Sequence, residues 1–168
     1  DVYKRQAYAA YRAADYDTLV VDIEELYHQF GGGIFKNSIS LKRFLNLTMD
    51  QWPKWPSHLF LIGKSVKPAP ESYELGSRKD TTSYALNLVP TWGMPGSDNH
   101  YSTDIYSGSR YYLIPTGRLS ASSNLEVTNY LQKMMELEDN QDPTSLYSIA
   151  NKEWQKNVLP VSYTHLTL

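Results

Sequence analysis

"VVDIEELYHQFGGG", Val20 to Gly33, decides how this chain is read. A β-branched run ends in Asp22, apolar residues recur at Ile23, Leu26, Tyr27 and Phe30, and three glycines close the stretch. That spacing predicts a short helix over Ile23–Phe30, because residues three and four apart share one face. Gly31–Gly33 predict its end, since glycine enters the left-handed cap conformation without steric cost. Leu19–Val21 predicts a buried strand in front of it. Strand, acid, helix and glycines also outline a phosphate-binding turn, so two readings compete.

The phosphate reading fails on spacing. A Walker loop needs two glycines flanking four loop residues before Lys and Ser or Thr, so that backbone N–H groups wrap the phosphates. "GKS" at Gly63–Ser65 follows a strand, but His58 holds the first glycine's place and "LFLI" fills the loop. A dinucleotide fingerprint opens a helix directly from a strand. Gly31–Gly33 instead follow a helix, so a helix cap and turn account for them.

Working outward, Ala7–Ala14 reads as the end of a helix. Ser38 or Ser40 can cap a helix whose face carries Leu41, Phe44, Leu45, Thr48 and Trp52, with Pro53 as its stop. Leu59–Ile62 predicts a second buried strand, closed by Gly63. Lys64–Leu86 is a polar excursion with Pro68, Pro70 and Gly76. In "NLVPTWGMPGSDN" a short strand is expected at Leu88–Val89, followed by tight turns. Tyr111–Ile114 predicts another strand and "PTGRLS" a turn. A helix is expected over Asn124–Glu138, with Val127, Leu131 and Met134 in one stripe and Tyr130 and Leu137 beside it. The Met134–Met135 pair reads as core packing. Asn140–Pro143 breaks the chain, a helix can run Thr144–Trp154, and Val158–Leu159 begins one more strand. This alternation predicts an α/β fold, a parallel sheet with helices on both faces.

The two ends stand apart from this pattern. Asp1–Gln6 can be encoded GAT GTG TAT AAG AGA CAG, and the reverse complement, read from its third base, encodes Val161–His165 and the start of a Leu codon. The ends read as one DNA element in opposite orientations, resembling the transposon end used to build sequencing libraries. The expectation is therefore adapter-derived ends at 1–6 and 161–168 around a natural segment, 7–160, that is an interior piece of a longer protein.

The net charge is −2, and −3 once Asp1, Lys4 and Arg5 are set aside. No basic footprint for nucleic acid is present, and no apolar run reaches membrane-spanning length. Fourteen tyrosines supply ample core material. The absence of cysteine excludes disulfides and thiolate metal sites within these residues.

Ser97, Asp98 and His100 lie close in sequence, but Ser–His–Asp sites are assembled from separate loops. A turn, with Asp98 and Asn99 bonding nearby backbone, is the simpler reading. His28, on a helix, and His58, at a strand start, read as structural, and His165 lies in the terminal segment. No paired-histidine spacing suggests a metal, and nothing calls for a cofactor. Ligands of open parallel sheets bind beyond the carboxyl ends of strands. Here those ends carry Asp22, Gly63, Lys64, Thr91–Asp98 and Pro115–Arg118.

The ordered blocks "VVDIEELYHQFGGG", "LKRFLN", "HLFLIG", "LVPTWGMPGSDN", "IPTGRLS", "ELED" and "EWQKNVL" resemble the gingipain-like family of cysteine peptidases. They are most similar to the branch containing the sortase-like component of type IX secretion systems. The resemblance covers nearly all of Ala7–Leu159. It implies a caspase-like fold, of which this chain is the first sub-domain, and a secreted or cell-surface protein acting on protein or peptide substrates. It further implies a Cys thiolate nucleophile with a His partner, both supplied after a strand like Trp154–Val158. No catalytic residue is therefore carried onto this chain, and its partner is the missing second half of the domain. Many members have Asp after the glycine of the second strand, where this chain has Lys64. Two alternatives stand beside the peptidase: a protein-binding pseudoenzyme of the same fold, and a flavodoxin-like or receiver-like domain. For a receiver, Asp22 alone does not supply the acidic cluster.

Overall fold

The computed structural model describes residues 2–66, 81–93, 95–104 and 111–141. Its elements are α1 (Val2–Arg12), α2 (Ile23–Phe30), α3 (Ile39–Gln51), β1 (Leu59–Ile62), α4 (Thr81–Leu86), a 3-10 turn (Asn99–Ser102), β2 (Thr116–Leu119) and α5 (Asn124–Gln141). The chain divides into two compact units, Asp1–Thr128 and Asn129–Leu168. Of the second, only the later turns of α5 are described. The expected helix Thr144–Trp154 and strand Val158–Leu159 lie outside the described residues.

β1 and β2 form a parallel pair, with Leu59 opposite Thr116 and Ile62 opposite Leu119. Successive residues of a strand face opposite sides. Phe60 stacks on Tyr8 of α1, at 5.0 Å between centroids, with Gly117 beneath its ring. Leu61 points the other way, into a core with Leu26, Leu41, Leu45, Met49, Val89, Tyr101 and Ile114. Helices thus cover both faces of a small parallel sheet, as the α/β reading expects.

α2 has the bounds its spacing predicts. Asp22 caps it by accepting from the Glu24 amide at 2.9 Å, and Leu26 and Tyr27 form its buried face. Gly31 and Gly33 both donate to the Tyr27 carbonyl, and Gly32 and Gly33 take the positive φ values of 63° and 77°. Leu19–Val21, in contrast, is not a strand. It has no ladder partner among the described residues, and Leu19 and Val20 are exposed. A β-branched run becomes a strand only where a neighbour pairs with it.

At α3, neither serine supplies the cap. Asn37 Oδ1 accepts from the Ile39 amide at 3.2 Å, while Ser38 makes no capping bond and Ser40 is fully buried. Trp52 falls one residue past the helix and is exposed, although Leu41, Leu45 and Thr48 are buried as expected. The end of the polar excursion is helical, as α4.

Two further strand expectations are corrected. Leu88 and Val89 dock by donating both amides to the Lys64 carbonyl, outside any strand. Tyr111–Ile114 is irregular and only Ile114 is buried, whereas β2 occupies the stretch read as a turn. Gly117 misled that reading, because glycine weakens strands. Here it clears the Phe60 ring, which a Cβ would approach to 3.3 Å.

α5 opens with a capping box. Glu126 Oε2 accepts from the Ser122 and Ser123 amides, and Ser123 Oγ accepts from the Glu126 amide. The helix continues to Gln141, past the expected break at Asn140. Val127 is buried, Leu131 and Met134 are half-buried and Met135 is exposed. Only part of the methionine pair serves packing.

The hydrogen bonds from Ser122 and Ser123 hold the Glu126 carboxyl below its ordinary value of 4.5. A depressed folded-state pKa means that the cap stabilises fully above the unfolded value and is lost as pH falls through the folded one. The expected outcome is faster amide exchange at Ser122 and Ser123 as pH falls below the ordinary carboxylate range, after correction for the intrinsic exchange rate. Glu126→Gln should abolish that pH response, and its persistence in the variant would assign it elsewhere.

Candidate functional site

The carboxyl end of the parallel pair is organised by one side chain. Arg118, on β2, reaches across the sheet end with a forked guanidinium. Its Nε and Nη2 donate to the Asp98 carboxylate at 2.6 and 2.7 Å. Nη1 donates to the carbonyls of Gly63 (2.7 Å) and Val89 (2.8 Å), and Nη2 also to that of Pro90 (3.2 Å). A planar guanidinium suits this task because its donors diverge in one plane. Both partners are largely buried, at 13% and 22% side-chain exposure, so water screens the pair little.

Gly63 makes this crossing feasible. With φ of 148°, it sits where a Cβ would stand 2.8 Å from Val89 Cγ2. Its amide continues the ladder to the Leu119 carbonyl, and the Lys64 amide reaches Ala121. The amides of Gly63, Lys64 and Val66 all donate within the chain, as do those of Gly31 and Gly33. Neither glycine-containing segment keeps a nest of free donors for phosphate.

A second cation holds the neighbouring loop. Lys42, on α3, is 4% exposed and donates to the carbonyls of His100 (2.7 Å) and Thr103 (2.9 Å) and to Thr103 Oγ1. Its ammonium also lies 5.1 Å from the Trp92 ring centre. Burial pushes the Lys42 pKa below its ordinary value, with Asp104 opposing. Asn46 Nδ2 bonds the Thr103 carbonyl alongside. Tyr101 is wholly buried, donates to Pro90 O at 2.6 Å, and has its phenol pKa pushed up by desolvation. Lysine inside a mixed apolar and polar helix pattern gives no sign of such a role. The nearest signal was the loop's own density of turn residues, which need something to hold them.

Ser97, Asp98 and His100 do lie together, but not as a catalytic set. Asp98 is committed to Arg118. The Ser97 amide closes an antiparallel bridge with Trp92, and the His100 ring meets Tyr112 edge-on at 5.4 Å. The turn itself is present, closed by the Trp92–Ser97 bridge, but the Asp98 carboxylate bonds the distant Arg118 side chain and not nearby backbone as expected. His28 packs edge-on against Phe35, and His58 lies beside Ser57 and Tyr16. Asp22 serves as helix cap and pairs with Arg5 at 3.1 Å. Among the described residues no group of three or more His, Asp or Glu is placed to hold a metal ion. An open cavity of about 400 Å³ is lined by Trp92, Ser97, His100 and Tyr112 with the turn between them.

Removing the guanidinium strands Asp98 and three carbonyls at once. Arg118→Met should cost about 3–5 kcal/mol in urea unfolding, as for a buried pair left without one partner. Arg118→Lys should recover little, because an ammonium cannot fork across the same acceptors. A loss below about 1 kcal/mol would show that the pair behaves as an exposed one.

Residues 4–165 match the model of peptidase family C25. No curated protein and no solved structure matches the chain. The family match runs from within α1 through α5. The chain belongs to peptidase family C25, the gingipain family of cysteine peptidases.

Proposed function

We propose that this chain supplies the first half of the catalytic domain of a secreted or cell-surface gingipain-like peptidase, in the sortase-like branch of type IX secretion. One observation carries the proposal: a chain of a cysteine-peptidase family contains no cysteine. Peptide-bond attack by this chemistry needs a thiolate held by a nearby base. On this reading the thiolate and its His partner lie on residues outside this chain. The role of the present residues is to build the sheet end, with Arg118, Asp98 and Lys42 fixing the loops against which the second half assembles.

Lys64 favours a second reading. An ammonium at the sheet end, where the gingipain-like resemblance implies a carboxylate, suits a pseudoenzyme that binds protein without cleaving it. The two readings part on the downstream sequence, since only the peptidase requires a cysteine there.

The 168 residues alone should neither cleave nor ligate peptides, and Ser97→Ala should change nothing measurable. The native reading frame continued past Leu159 should supply a His and a Cys, and the completed protein should cleave peptides until a thiol-alkylating reagent stops it. Alkylation-resistant cleavage by the present chain would overturn the proposal. A completed frame without the cysteine would establish the pseudoenzyme.

We further propose that 1–6 and 161–168 are adapter-derived. The segment 1–6 contributes the start of α1 and the Arg5–Asp22 pair, which is partly exposed and worth about 0–1 kcal/mol. Deleting both ends should leave the melting temperature within about 4 °C, as a loss of up to about 1 kcal/mol implies for a chain of this size. A larger drop would show that these residues belong to the fold.

A further inference from the structure

We propose that α4 is a strap, closed by the Lys36 side chain on Tyr84 and hinged at Asn87–Val89, whose opening wets the buried Tyr27 ring. The device stands apart from the peptidase reading, because it needs neither a second half of the domain nor a nucleophile.

The first observation is a strained residue. Gly32 and Gly33 take positive φ in the connection from α2 to α3 at no steric cost. Lys36 takes a positive φ too, 59°, and carries a side chain there. Among the described residues no other non-glycine residue does so. Glycine would hold that turn more easily, so the strain points to a task for the side chain. The Lys36 ammonium lies 3.9 Å from the centre of the Tyr84 ring and donates to the Tyr84 carbonyl. Tyr84 sits in the last turn of α4, where carbonyls run short of amide donors and a cation is favoured.

α4 needs such a hold. It has six residues and buries none of them, and a helix that short is unstable alone in water. Just after it the chain is pinned. The Asn87 side chain accepts from the Val66 amide, Leu88 and Val89 donate to the Lys64 carbonyl, and Arg118 takes the Val89 carbonyl. A swing of α4 about Asn87–Val89 therefore leaves the sheet end in place.

Close by lies Tyr27. It is 2% exposed, its ring meets Phe35 edge-on at 5.9 Å, and its hydroxyl has no hydrogen-bond partner among the described residues. Burial first, then the nearby Tyr84, holds its phenol pKa above the ordinary value. A buried hydroxyl without a partner carries a desolvation cost that water would remove. Two features thus oppose the closed strap, the Lys36 backbone and the Tyr27 hydroxyl, and the ammonium on Tyr84 holds it against both.

The test compares the 168-residue chain with its Lys36→Gly and Lys36→Arg variants. Hydrogen exchange and tyrosine nitration by tetranitromethane are both located by peptide mass spectrometry. Lys36→Gly keeps the turn and removes the ammonium. Its melting temperature should hold, because relief of the left-handed backbone offsets the lost contact. Exchange across α4 and nitration of Tyr27 should each rise about tenfold, as loss of a cation–ring contact with a charged hydrogen bond implies, while exchange in α3 stays unchanged. Lys36→Arg keeps a cation over the ring and should match the parent chain. A glycine variant that protects α4 and Tyr27 as the parent does would make Lys36 a turn residue only and overturn the strap. A fall in melting temperature with faster exchange in α3 would overturn it as well, since Lys36 would then support the whole fold. So would an arginine variant that opens as far as the glycine one.

Discussion

The Arg118 guanidinium is the constraint on which the sheet end depends. A two-stranded parallel pair is too small to define its own surroundings. Here one residue of the second strand gathers the carbonyl after the first strand, two carbonyls of the following connection and the carboxylate of a distant turn. Every acceptor is backbone or acid, so the local sequence can vary while the crossing is kept. Two positions cannot vary freely: Gly63, because Val89 occupies the space of a side chain, and Asp98, because neutral residues would leave a cation largely buried and unpaired.

Lys42 repeats this logic from the helical side. Its three oxygen acceptors fix where Asn99–Ser102 sits above α3, and Tyr101 then fills the space between. The cleft framed by Trp92 and His100 is thus a product of two buried cations.

The legible parts of the sequence were those governed by local chemistry. α2 carries its apolar period, its aspartate cap and its glycine stop within a dozen residues, and β1 is a short apolar run closed by glycine. Failures came where a distant partner decides. Leu19–Val21 has the composition of a strand but no ladder to join among the described residues. Thr116–Leu119 has the composition of a turn, yet pairs with Leu59–Ile62 because Gly117 admits Phe60 and Arg118 finds its acceptors. Asn37 supplies the capping bond at α3 in place of either serine, because Ser38 is already in the helical backbone region and Ser40 lies inside the helix. At the site, Asp98 and Arg118 stood out as members of two turns, but their pairing was invisible in one dimension, as was the buried setting of Lys42.

The parallel pairing has a consequence for how this region can diverge. Leu59 meets Thr116 only after the chain has closed a long loop between them. Closure entropy grows with the logarithm of loop length, so doubling that connection costs only about 0.6 kcal/mol. Insertions within the excursion after β1 are therefore nearly neutral thermodynamically, while contacts of such high sequence separation slow folding. Natural variants should differ widely in the length of that excursion and hardly at all within Thr116–Arg118, where a single residue added ahead of Arg118 would swing it to the opposite face of the sheet.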